Sequence, residues 1–238
     1  MRMVLESVGH PPSVPRRSHV LALLSVAAFL AACAADDAPP GECEVSGRYL
    51  PLRPGLSWTY RVSDSAGVTE KTQTVGALED VGGTKAGTMA YRLTTVKAGG
   101  TVVSWQEDRG DSVRRHKELD MAGGSQTTEL YEPSRLRLDE SAAHLVAGAS
   151  WMESYSEIVT DATMVTTTTA KTEQWRIEIA EETVIVPAGT FCALRVARTS
   201  ATASGGGSDK AFWFVRGLGK VKEVGTNQTE ELISVTGN

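Results

Sequence analysis

Only two histidines, His116 and His144, follow residue 32, so any acid/base or nucleophilic chemistry must be built from few side chains. His144 stands just behind Asp139, Glu140 and Ser141, from which a Ser/His/acid set can be composed. No serine, however, sits in the GxSxG turn that would expose it as a nucleophile. His116 lies in SVRRHKELD and is expected to face solvent on a strand of alternating charges. The adjacent acids Glu181-Glu182 and Glu230-Glu231 invite comparison with a glycosidase pair, which needs two carboxylates roughly 5 to 10 Å apart. Neighbouring strand residues point to opposite faces, and such pairs are therefore expected to be solvated strand ends. Asp36-Asp37 lacks the further acids at alternate positions that a calcium loop requires. Gly205-Gly206-Gly207 precedes a strand pattern rather than a helix, so it lacks the helix N-terminus used by phosphate-binding loops. Arg109-Gly110-Asp111 falls between two charged strands and predicts a β-turn. No catalytic residue, cofactor or metal site is expected, and the chain is read as non-enzymatic.

The cysteines carry the covalent chemistry. Cys33 ends the run VLALLSVAAFLAAC behind the basic pair Arg16-Arg17, an apolar stretch too short to span a hydrocarbon layer of roughly 30 Å. Leu30-Ala31-Ala32-Cys33 resembles a lipobox, in which a peptidase cuts between Ala32 and Cys33 after a diacylglycerol has been attached to the sulfur. The reading is a signal over 1–32, a lipidated tether over 33–45 and a domain over 46–238. A twin-arginine signal fits the following Ser18-His19-Val20-Leu21 poorly, and a buried helix would need more polar positions than Ser25. Ala34, where an Asp is absent, is compatible with an outer-membrane location facing the periplasm or the surface. The segment 34–44, AADDAPPGECE, has nothing to bury.

With Cys33 acylated, Cys43 and Cys192 are left as a candidate disulfide. In an oxidising compartment that closure would contribute on the order of 3 to 5 kcal/mol. The alternative makes Cys192, which alternates with Leu194 and Val196, a small buried hydrophobe and leaves Cys43 unpaired. Neither cysteine has the spacing of a metal site. Removing Arg2, Arg16, Arg17 and Glu6 with residues 1–32 takes the net charge from −5 to −7. No run of Lys or Arg exceeds two residues, and nucleic acid is not expected as a partner.

These features must be displayed by strands. Trp58, Tyr60 and Val62 share one face against Thr59 and Arg61, Tyr91 and Leu93 alternate with Arg92 and Thr94, and Trp175, Ile177 and Ile179 alternate with Arg176 and Glu178. Further strands are predicted over 70–78, 101–107, 112–119, 127–131, 151–159, 164–170, 191–199, 211–215, 220–224 and 230–235, separated by glycine-containing turns. The four threonines 166–169 predict an exposed or edge strand. No segment sustains a helical apolar period beyond a short turn near 139–144. The predicted fold is all-β: a single antiparallel meander, strongly curved into a half-barrel or open barrel, with a sandwich as the alternative.

Three stretches, YLPLRPGLSWTYRV (49–62), VIVPAGTFCALRV (184–196) and AFWFVRGLGKVKEV (211–224), together with the LAAC end of the signal, resemble uncharacterised bacterial envelope lipoproteins. The resemblance implies a β-rich, lipid-anchored envelope protein and no known reaction. A similar layout in curved-sheet lipoprotein carriers suggests a binding or assembly module, whose apolar, Trp-lined concave face takes a lipid or hydrophobic ligand or an envelope protein. The alternative is a purely structural component with a filled core, meeting its complex through an edge strand. A hydrolase built around His144 or paired acids is the third reading.

Overall fold

The computed structural model describes residues 46–202 and 207–237. Twelve strands follow one another as an antiparallel meander: β1 (Ser57–Asp64), β2 (Gly67–Asp80), β3 (Met89–Lys97), β4 (Gly100–Asp108), β5 (Ser112–Ala122), β6 (Ser125–Asp139), β7 (Ser150–Thr160), β8 (Thr166–Val186), β9 (Gly189–Thr202), β10 (Gly207–Val215), β11 (Gly219–Gly225) and β12 (Gln228–Thr236). The expected meander is there, but it does not stop at a half-barrel: β1 pairs with β12 from Ser57↔Thr236 to Asp64↔Gln228, and the sheet closes. The 166–169 threonine strand is exposed as expected and, although the sheet closes, it forms a local edge: it pairs with β7 on one side, while the β8/β9 ladder begins only at Lys171↔Thr202 among the described residues.

Strand alternation sets which residues enter the barrel. Trp58, Tyr60 and Val62 are buried and face its interior, whereas Thr59 and Arg61 stay wetter. The PAG segment forms the β8/β9 hairpin, with Val186 opposite Gly189 and Pro187-Ala188 as its tip. Arg109 to Asp111 make the β4/β5 turn, in which the Gly110 N–H donates to Asp108 at 2.8 Å and Gly110 takes a φ of +87°. The region after Asp139 is a turn-rich loop to Ser150.

In a meander, alternate hairpins lie at the same end. The chain approaches β1 through residues 46–56, which cross one end as a floor: Leu52 and Leu56 are buried there, and Gly55 N–H donates to the Val75 carbonyl while Val75 N–H donates to that of Leu56. Glu140 fastens the same segment, accepting from the backbone N–H of Tyr49 at 2.8 Å and of Leu50 at 3.1 Å. Gly217 N–H donates to the Arg48 carbonyl, tying the β10/β11 turn to this floor. The opposite end, with hairpins β1/β2, β3/β4, β5/β6, β7/β8 and β11/β12, is the mouth.

Two ladders in the wall are short. β6 pairs with β7 only from Thr128↔Thr160 to Glu132↔Ser156, although β6 continues to Asp139. β11 pairs with β12 only from Lys222↔Glu231 to Val224↔Thr229. At the second seam the β8/β9 tip fills in, the Ala188 N–H donating to the Leu232 carbonyl at 2.9 Å.

Candidate functional site

The barrel encloses a cavity of about 630 Å³, within the range of small-molecule sites. Its floor is apolar, with Leu50, Trp58, Leu93 and Phe214 lining it, and it extends to Asp64, Ala66 and Ala98 at the mouth. The wall between differs from the apolar, Trp-lined face expected from the sequence. Eight cationic side chains, Lys71, Lys97, Arg115, Arg135, Arg137, Arg198, Lys210 and Lys220, line it alongside five carboxylates. The reason is partly geometric: β-bulges place an extra residue in one strand and re-aim the side chains around it. Arg137 is the extra residue where Val113 pairs with Leu138 but Arg114 pairs with Leu136. Val221 is the extra residue where Trp213 pairs with Lys222 but Phe214 with Lys220, and both Lys220 and Glu223 line the cavity.

One charged cluster bridges the β11/β12 seam. Lys220 Nζ lies 2.7 Å from Glu230 Oε2 and also bonds Glu223; Lys71 bonds Glu230 and Lys210 bonds Glu223. Glu230 is 2% exposed, so it is not the solvated strand end predicted above, whereas Glu231 faces outward to Arg61 and Lys222. Adjacent Glu230 and Glu231 therefore do not form a carboxylate pair; the acid that shares the cavity with Glu230 is its cross-strand partner Glu223. Burial alone would raise Glu223, but Lys220 and Lys210 hold it well below the usual carboxylate range. Burial, then the like charge of Lys220, pushes Lys71 down to about 8 against the pull of Glu230. Lys71 and Lys220 also lie over the Tyr60 ring, whose hydroxyl donates to the Lys220 carbonyl at 2.9 Å.

The second cluster lies where the β6/β7 ladder stops. Glu173 on β8, with a fully buried carboxylate, accepts from Arg135 Nε at 3.0 Å, Arg135 Nη2 at 2.8 Å and the Tyr155 hydroxyl at 3.2 Å, with Arg198 Nη1 at 3.7 Å. Arg198 in turn lies over the Trp175 and Phe212 rings. Against the cost of burial, Arg135 and Arg198 hold the Glu173 carboxyl below its usual range.

The positions singled out for acid/base chemistry are engaged elsewhere. His116 is buried rather than solvent-facing: it is the extra residue between Gln106↔Arg115 and Trp105↔Lys117, and its Nε2 is 2.8 Å from Glu107. Burial depresses its pKa and the Glu107 carboxylate opposes that shift. His144 stacks on Trp151 at 3.9 Å between ring centres, with Nδ1 2.9 Å from Asp139 Oδ2. Ser141 turns its backbone N–H to the same Asp139, and among the described residues no serine hydroxyl bonds the imidazole. Glu182 accepts from Trp213 Nε1 at 3.0 Å while Glu181 is exposed. Among the described residues no group of three or more His, Cys, Asp or Glu is placed to hold a metal. Cys192, half-buried on β9, is disulfide-bonded. Ala32, Cys33, Cys43, Asp36-Asp37, the signal, the tether and Gly205-Gly206 lie outside the described residues.

The outer wall is water-facing in character. Arg61–Glu231, Arg114–Glu153 and Arg195–Glu178 pairs punctuate it, and the outward Trp213 is covered by Arg195 and Lys222. A barrel that crosses a bilayer instead presents a continuous apolar band outward. No helix of the described residues is long and apolar enough to cross a membrane.

No protein-family model matches the chain, and no curated protein matches it. Two solved structures are similar in outline. One is a Bacteroides fragilis protein taken to be exported, with a YmcC-like fold, at TM-score 0.46 and 11% identity over 80% of this chain and 100% of that one. The other is a Parabacteroides distasonis protein taken to be a lipoprotein, at TM-score 0.44 and 12% identity over 82% and 100%. Neither likeness is strong enough to carry a role from those chains to this one.

Proposed function

We propose that this chain is a lipid-anchored envelope protein whose barrel binds a ligand with an apolar portion in its central cavity. The observation that carries the reading is the cavity itself: about 630 Å³ of space with an apolar floor, at the end opposite the mouth, that residues 46–56 help to close. A purely structural role through an edge strand has less to build on, since β1 pairs with β12 and unpaired strand backbone is left only in local stretches such as 166–170 and the β6/β7 seam. Binding is favoured over catalysis because His116 and His144 are both committed to packing and carboxylate contacts.

Two tests follow. The chain after residue 32, carrying Cys33→Ala and exported behind a cleavable non-lipid signal, is purified without detergent and weighed by native mass spectrometry. A co-purifying species of lipid-like mass is expected, and a clean apo mass that also takes up no added alkyl ligand counts against the cavity reading. The anchor is tested separately by fractionation of cells carrying Cys33→Ala in the native sequence. The variant is expected to lose its acylated mature form, and a variant still acylated and retained as wild type would remove the assignment of Cys33.

A further inference from the structure

We propose that the cavity ligand carries an oxyanion head group, a carboxylate or a phosphate, and that Arg137 is the residue that receives it. This rests on the cavity-binding reading above. The argument is one of charge pairing. Each of the other cations of the wall has a carboxylate within ion-pair distance: Lys71 has Glu230, Lys97 has Asp120, Arg115 has Glu118, Arg135 and Arg198 share Glu173, and Lys210 and Lys220 meet Glu223. Arg137 has none among the described residues, and its Nε, like those of Arg115 and Arg198, is shielded from solvent without a hydrogen-bond acceptor, so the missing counter-ion is what sets it apart.

A half-buried guanidinium whose Nε lacks an acceptor and that has no counter-ion is costly, since its donors are fixed and it does not shed its charge at neutral pH. Its position compounds the cost. Burial first, then the like charges of Arg115, Arg135 and Arg198, push Arg137 down to about 9, with Glu223 pulling the other way. That value keeps it cationic at neutral pH. A protein that retains such a group beside an open cavity gains what it lacks when an oxyanion enters, because the planar fork of a guanidinium matches two oxygens of one carboxylate or phosphate. The bulge that makes Arg137 the extra residue of β6 fixes it in the wall facing the apolar floor, so one molecule can reach both. The chemistry is that of an amphiphile with an anionic head.

Isothermal titration of the Cys33→Ala chain described above, with laurate, 1-dodecanol and inorganic phosphate, tests this. Laurate is expected to bind at least about tenfold tighter than dodecanol, which has the same chain without the charge, and Arg137→Met is expected to erase that difference. Arg137→Lys keeps the charge but not the fork and is expected to fall between. Phosphate that competes with laurate in an Arg137-dependent way supports the proposal with a free oxyanion as a sufficient ligand; phosphate that does not compete supports it with the head group of an amphiphile as the source. Equal binding of laurate and dodecanol, or an unchanged laurate affinity in Arg137→Met, overturns the role of Arg137 and leaves the cavity reading standing. No binding of any of the three overturns both. If Arg137→Met fails to fold, the laurate-to-dodecanol ratio in the parent and in Arg137→Lys decides.

Discussion

Glu173→Gln is expected to lower stability by about 3–5 kcal/mol, the cost of leaving buried cations without their counter-ion. For a domain of this size that corresponds to a fall of roughly 6–20 °C in Tm, read by thermal unfolding. The substitution keeps volume and one acceptor, so the loss reports charge rather than packing. Two arginines depend on this carboxylate, and Arg135 reaches it across the stretch where β6 no longer bonds β7. A second readout follows from the sign of the titration. The folded-state pKa of Glu173 is depressed from 4.5, so its stabilisation is fully present above the ordinary carboxylate range and is lost as pH falls through the lower, folded value. The gap between wild type and Glu173→Gln therefore narrows as pH falls below about 4.5. A Tm within about 2 °C of wild type at pH 7 would show that the pair contributes no net stability and that the seam is held by something else.

Trp58→Ala is expected to cost about 3–5 kcal/mol, measured as a shifted denaturant midpoint at unchanged slope. The indole is 1% exposed in the larger apolar cluster, and its Nε1 donates to the Leu218 carbonyl at 2.5 Å. Its contact with the backbone of Gly219 is so close that a Cβ built there would sit 2.9 Å from that nitrogen. Trp58→Phe, which keeps a ring and removes the donor, is expected to lose less, about 1–3 kcal/mol for the orphaned carbonyl plus the lost ring volume. Equal costs for the two variants would mean that the Leu218 hydrogen bond, not the packing, fixes the floor. A loss under about 1 kcal/mol for Trp58→Ala would contradict the burial argument altogether.

How legible all this was in the sequence depends on where alternation runs unbroken. Trp58, Tyr60 and Val62 follow the period of two without interruption, and the inward face is read correctly from the residues alone. The same holds for the Pro187 hairpin and the Arg109–Asp111 turn, where local chemistry decides the conformation. Ile179 fails because register shifts on both sides of it, between Ile177 and Glu182, break the face it was assigned to, and it is 38% exposed. His116 fails for the same reason, and the burial of Glu230 was masked by its charge, since acids are rarely buried unless paired. Arg135 and Arg137 do alternate with the buried Leu136 and Leu138, a pattern that could have been found. Pro133 hid it, because a proline argues against a paired strand interior; β6 continues to Asp139 by placing Pro133 in an unpaired irregularity, between Lys117↔Leu130 and Arg115↔Arg135 on one side and beyond the last β7 partner, Glu132, on the other. Closure itself is written in no single segment: it follows from strand number and tilt, which local alternation does not report.

An even number of strands brings both ends of the barrel to the floor, where Gly237 packs against the backbone of Gly55. Among the described residues, the rim at the mouth is made of the β1/β2, β3/β4, β5/β6, β7/β8 and β11/β12 turns. A change of length in any of them is absorbed without moving a strand end or shifting the register of the wall, since surface turns tolerate insertion at little thermodynamic cost. Loop grafting at these turns therefore offers a way to alter the opening while leaving the charged wall below unchanged.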